Sequence, residues 1–153
     1  MPHTVANDIL IPHFAELLAE GKEVLFTPSG VSMRPFIEGG RDSVVLRRLP
    51  QVRIGDICLV RLTTDNGIRY VLHRVIRIEG EQVTLMGDGN PQGEEHTRLD
   101  DVLGTVVRIL SPKGKHKPLT RGRCWYALRR WRRLGLKIYR HTVVKYLYNN
   151  TKQ

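Results

Sequence analysis

Between Glu23 and Val107 the apolar residues come in short β-branched runs separated by turn residues, with no helical period among them. The runs are EVLFT, SVVLRR, DICLVRL, RYVLHRVIRI, QVTLM and GTVVRIL. Asp65-Asn66-Gly67 and Glu79-Gly80-Glu81 stand between runs as hairpin turns, and Gly39-Gly40, Gly55-Asp56 and Gly87-Asp88-Gly89-Asn90 punctuate the rest. Many short strands joined by tight turns cannot build a parallel α/β sheet, which needs a crossover helix between strands. The expectation is a mainly β domain over residues 23–112, either a sandwich or a partly open barrel.

Two segments lie outside this pattern. From Val5 to Gly21, Ile9, Leu10, Phe14, Leu17 and Leu18 recur at three- and four-residue steps. They predict one amphipathic helix within residues 1–22, with Asn7 or Asp8 as cap, Gly21 as stop and Pro12 tolerable near the first turn. The other segment begins at a polar stretch rich in Pro and Gly, residues 111–118, which reads as a hinge. Residues 113–153 beyond it carry 13 Lys+Arg and no acid, whereas residues 1–112 carry 12 Lys+Arg and 15 Asp+Glu. The net charge of +10 therefore belongs to the tail.

On a helix over residues 125–146, Ala127, Leu128, Trp131, Leu134, Ile138 and Tyr146 share one side, and Arg129, Arg130, Arg133, Lys137 and Arg140 the other, with a weak point at Gly135. Such a basic amphipathic helix can pack its apolar stripe on the β domain. Through residues 121–148 it can also meet an anionic membrane surface or acidic partner, or nucleic acid, although its aromatic rings are not interleaved on the cationic face. No run approaches the length of a membrane span, and MPHTVANDIL has no basic region leading into an apolar stretch. A cytoplasmic protein is expected, peripheral at the inner membrane face if the tail binds lipid. Cys58 and Cys124 have neither metal nor redox spacing, and His3, His13, His96, His116 and His141 form no ligand set. No metal or cofactor is assigned.

Three places in the β region could carry chemistry. Ser32 lies in Ser29-Gly-Val-Ser-Met-Arg-Pro-Phe36, between a glycine turn and a proline, where its oxygen can stand at a strand end with backbone N–H groups nearby. A serine needs a base to become a nucleophile. His73 shares one face of its strand with Val71 and Val75, while Leu72, Arg74 and Ile76 take the other. Asp88 lies in the glycine-bracketed turn that follows QVTLM. Asp42 and Asp56 read as strand-entry caps or turn acceptors.

Taken in order, these boxes resemble the S24/S26 peptidase group, which comprises type I signal peptidases and the self-cleaving domains of SOS-type repressors. Gly30-Val-Ser-Met-Arg-Pro35 is similar to its nucleophile box, and residues 40–46 and 54–60 to the two strands that follow. Val71-Leu-His-Arg-Val75 resembles the His-Arg box of the endoplasmic-reticulum and archaeal type, and Gly87-Asp-Gly-Asn90 the Gly-Asp-Asn box. Over residues 23–110 the resemblance implies a signal-peptidase-like fold and a serine endopeptidase acting on a peptide or protein. Ser32 would be the nucleophile and the backbone oxyanion donor, and His73 the base. Asp88 would be the orienting acid, with Glu94 and Glu95 as alternatives, and Arg34 and Arg74 would be substrate contacts. Residues 1–28 hold nothing long enough for a signal-peptidase anchor, and the chain has no Ala-Gly bond of the kind the repressors cut. The alternative is a catalytically inactive peptide- or nucleic-acid-binding module on the same fold.

Overall fold

The alternating runs become strands of a single antiparallel sheet in the computed structural model, which describes residues 7–90, 92–119, 129–139 and 141–142. In chain order the elements are α1 (Asn7–Ala19), β1 (Val24–Phe26), β2 (Ser43–Arg47), β3 (Ile57–Thr64), β4 (Gly67–Glu79), β5 (Gln82–Met86) and β6 (Glu95–Arg98). A 3-10 turn (Leu99–Asp101), β7 (Val102–Leu110), β8 (His116–Lys117) and α2 (Arg129–Tyr139) follow. The strand order is β1-β2-β7-β3-β4-β5-β6, with β8 added on β7. The fold is mainly β, and the sheet stays open, with β1 and β6 at the ends of that order.

Period-two alternation divides the apolar side chains between two cores. Ile57, Leu59 and Leu72 point to one face, where they meet Ile11 and Leu18 of α1, Val44 and Leu46 of β2, and Met33 and Ile37 from the segment after β1. Cys58, Val60, Leu62 and Val75 point to the other and pack on Val83, Leu85 and Val102. Each fully buried aliphatic side chain contributes about 1.5–3 kcal/mol. Irregular pairing at Val45/Leu46, Leu59/Val60 and Val75/Arg77 bends the sheet. The β5–β6 hairpin thereby swings over β3, where the Thr97 hydroxyl donates to the Arg61 carbonyl at 3.0 Å. On the opposite face Leu18 sits on Gly104 so closely that a Cβ there would lie 2.9 Å from a Leu18 methyl.

Several expectations need correction. Pro12 lies well inside α1 rather than in its first turn, so one backbone bond of the helix is missing; burial of Ile11 and Leu18 holds the helix in place. The stretch expected as a hinge is a hairpin: Ser111 N–H donates to the Lys115 carbonyl at 2.9 Å, and His116 and Lys117 pair with Leu110 and Ile109. Asp42 and Asp56, by contrast, are the turn acceptors that were expected, taking the N–H groups of Glu38 and Arg53, each at 2.9 Å.

The tail helix is described over Arg129–Tyr139; residues 120–128, 140 and 143–153 of the expected segment, including Cys124, Ala127, Leu128 and Tyr146, lie outside the described residues. Within α2, Trp131, Leu134 and Ile138 are exposed and Leu136 is buried, so the described members of the apolar stripe are not packed into a core. Leu136 is about 140° around the helix from Trp131, so the buried position and the exposed row lie on different sides of α2. Among the described residues, no helix is long and apolar enough to cross a membrane.

Candidate active site

The segment between β1 and β2 holds Ser32 in a tight fold anchored by Met33 and Ile37, both buried in the α1-side core. Arg34 N–H donates to the Val31 carbonyl at 3.1 Å, Phe36 and Ile37 N–H groups share the Met33 carbonyl, and Gly40 N–H closes the base on Pro28 at 2.8 Å. The Arg34–Pro35 peptide is cis. Gly30 has φ +89°, and Gly39 packs against it so tightly that a Cβ on Gly39 would lie 2.0 Å from the Gly30 carbonyl oxygen. Glycine is required at both places.

β4 supplies His73, which is paired with Cys58 of β3 and is only 5 % exposed. Its Nε2 is 3.0 Å from Ser32 Oγ. Its Nδ1 bonds Glu95 Oε2, at the start of β6. The swing of the β5–β6 hairpin brings that carboxylate across the sheet, since Glu95 pairs with Leu85 and not with β4. A carboxylate only accepts hydrogen bonds, so the proton sits on Nδ1, and Nε2 is left to accept the Ser32 hydroxyl. The other Glu95 oxygen takes Arg69 Nη2 at 2.8 Å. Arg69, two turns of the pleat from His73 on the same strand face, therefore pins the carboxylate from its far side. The resulting row is Ser32, His73, Glu95, Arg69.

Asp88 stands elsewhere. Both of its oxygens meet the Arg74 guanidinium at 2.7 Å, a two-pronged ion pair in which each side chain is 1 % exposed. Arg74 Nη1 also donates to the Gly55 carbonyl at 2.7 Å. The carboxylate on His73 is thus that of Glu95, one of the two alternatives, and Asp88 is a structural partner on the opposite face of β4. Arg74, expected to meet substrate, is buried and committed to Asp88. Arg34 pairs with Glu38, Nε to Oε2 at 2.8 Å, and Glu94 lies 3.7 Å from Arg77.

The turn carrying Asp88 nevertheless shapes the site. Gly89 N–H donates to the Ser32 carbonyl at 2.8 Å. A Cβ on Gly87 would lie 2.5 Å from that same oxygen, and one on Gly89 3.0 Å from the Val31 and Arg34 carbonyls. Only glycines let the two backbones come this close. The Arg74–Asp88 pair ties the turn to β4, and the turn holds the carbonyl side of Ser32. Its amide side has no hydrogen-bond acceptor among the described residues and remains available to an oxyanion.

Beside Ser32 and His73 opens a cavity of ≈ 340 Å³ lined on its apolar side by Met33, Ile37, Tyr70 and Leu72. Along it, residues 68–73 of β4 pair with β3 on one side, while β5 pairs only with Arg74 and beyond. That leaves a stretch of strand edge next to the serine. No group of three or more His, Cys, Asp or Glu among the described residues could hold a metal ion. Cys58 Sγ is 3.6 Å from Thr105 Oγ1, and burial pushes its thiol up to about 12, which removes it as a competing nucleophile at neutral pH. No family model and no curated protein matches the chain.

Proposed function

We propose that this chain is a serine endopeptidase in which Ser32 is the nucleophile, His73 the general base and acid, and Glu95 the orienting carboxylate. The observation that carries the reading is the continuous contact from Ser32 Oγ through both His73 nitrogens to Glu95, beside a cleft with an open strand edge. Ser32 Oγ attacks the scissile carbonyl as its proton passes to His73 Nε2. The Ser32 N–H stabilises the oxyanion, and the proton is returned to the leaving amine. Water then attacks the acyl-enzyme, giving up its proton to the same nitrogen, and Ser32 leaves as the hydroxyl. Glu95 holds the ring in the correct tautomer and offsets the imidazolium charge as it forms. An extended peptide laid along residues 68–73 of β4 adds a strand to the sheet, with its carbonyl next to Ser32 and one side chain in the apolar cleft.

The test is labelling with a fluorophosphonate and cleavage of a library of extended peptides. Wild type is expected to label and to cleave, and Ser32→Ala and His73→Ala to do neither while keeping the wild-type melting curve. Folded wild type that neither labels nor cleaves would favour a binding module on this fold. Labelling that survives Ser32→Ala would remove the serine from the chemistry.

A further inference from the structure

We infer that α2 docks the protein on an anionic lipid surface, with Trp131, Leu134 and Ile138 as the inserted row. These residues are 69 %, 51 % and 55 % exposed, and their spacing of three and four places them on one side of the helix. Leu136, about 140° around the helix from Trp131, is by contrast only 5 % exposed. Tyr139, 44 % exposed, extends the aromatic content of the outer surface at the last turn. An outward apolar row carrying a tryptophan is suited to the boundary between headgroups and acyl chains.

Charge identifies the occupant. Residues 113–153 carry 13 Lys+Arg and no acid, so the helix stands in a segment that attracts phosphate headgroups along its whole length. A second copy of the same helix would bring two such segments together, and repulsion opposes that pairing. A nucleic acid would satisfy the cations but leave Trp131, Leu134 and Ile138 in water. An anionic bilayer satisfies both at once. The inference rests on exposure and charge in α2 and is independent of the peptidase reading.

The experiment is co-sedimentation of the full-length chain with vesicles of phosphatidylcholine alone and of phosphatidylcholine with about one-third phosphatidylglycerol. Alongside it, Trp131 emission is recorded in a Trp125→Phe background. Binding to the anionic vesicles, a blue shift of Trp131 emission and weakening as salt rises from about 0.1 to 0.5 M are expected. Leu134→Glu with Ile138→Glu is expected to weaken binding by about tenfold or more while leaving the melting curve unchanged, because both positions are exposed. Equal binding to neutral vesicles, binding to neither, or binding insensitive to the double substitution would each overturn the inference. So would a concentration-dependent dimer that the substitution abolishes, which would assign the row to a second copy. Retention on DNA without vesicle binding would assign the tail to nucleic acid.

Discussion

Asp88 is the residue on which the two faces of β4 can be separated by measurement. Replacing it with Asn preserves shape but leaves the Arg74 guanidinium buried, at 1 % exposure, without a counter-charge. Breaking a buried pair from one side costs about 3–5 kcal/mol. The lower end is expected, because the Gly55 carbonyl stays on Nη1. Against a total stability of about 5–15 kcal/mol this is a large fraction. With a urea slope of about 2 kcal/mol/M it moves the unfolding midpoint down by about 1.5 M. Arg74→Met with Asp88→Leu removes both charges, and its loss is expected to be smaller than the sum of the single losses, which a double-mutant cycle in urea measures. For catalysis the expectation is opposite in kind: Asp88→Asn retains kcat/KM per folded molecule to within about tenfold, whereas Glu95→Gln unfolds at nearly the wild-type midpoint and loses about 10²–10⁴-fold in kcat. A fully stable Asp88→Asn protein with kcat reduced a thousandfold or more would refute this division and return Asp88 to the reacting groups.

Gly87→Ala forces the 87–90 turn away from the Ser32 carbonyl, which a Cβ would approach to 2.5 Å. A shift of this size next to the nucleophile is expected to lower kcat/KM by about 10²-fold with the far-ultraviolet spectrum unchanged, and full activity would show that the close approach is dispensable. Asp42 gives an acid signature: burial pushes its carboxyl up, but Arg41, Lys117 and the Glu38 N–H outweigh it and hold it at about 2, below its ordinary 3.8. Its contribution is therefore complete above about pH 4 and disappears as pH falls through about 2, so Asp42→Asn should flatten that part of the stability–pH curve measured by urea unfolding.

The runs that became β2, β3, β4, β5 and β7 were legible because buried strands need β-branched residues and leave turns between them. β6 and β8 were not. Glu95-His96-Thr97-Arg98 and His116-Lys117 contain no apolar residue, and they form strands because neighbours with unpaired backbone groups lie beside them. That omission decided the orienting acid. With β6 unseen, Glu95 stood only as an alternative that the resemblance implied, and Asp88, which matched the Gly-Asp-Asn box, came first. The alternation in β4 held one clue: Arg74 must face away from His73, and a cation sent into the interior there requires a buried carboxylate. In the tail the amphipathic pattern was visible, but the buried position in the described part of α2 is Leu136, a residue the pattern did not single out.

His73 and Arg74 are neighbours in sequence with unrelated work, one facing the serine and the other the buried aspartate. A strand changes face at every residue, so a slip of one position in the β3–β4 pairing would exchange them. The cation would then confront Ser32, and the imidazole would confront Asp88. A chain folded in that wrong register has no base and no clamp at once, so a misfolded population is silent instead of promiscuous. Under the proposed function, such built-in proofreading ties the appearance of activity to the completion of folding.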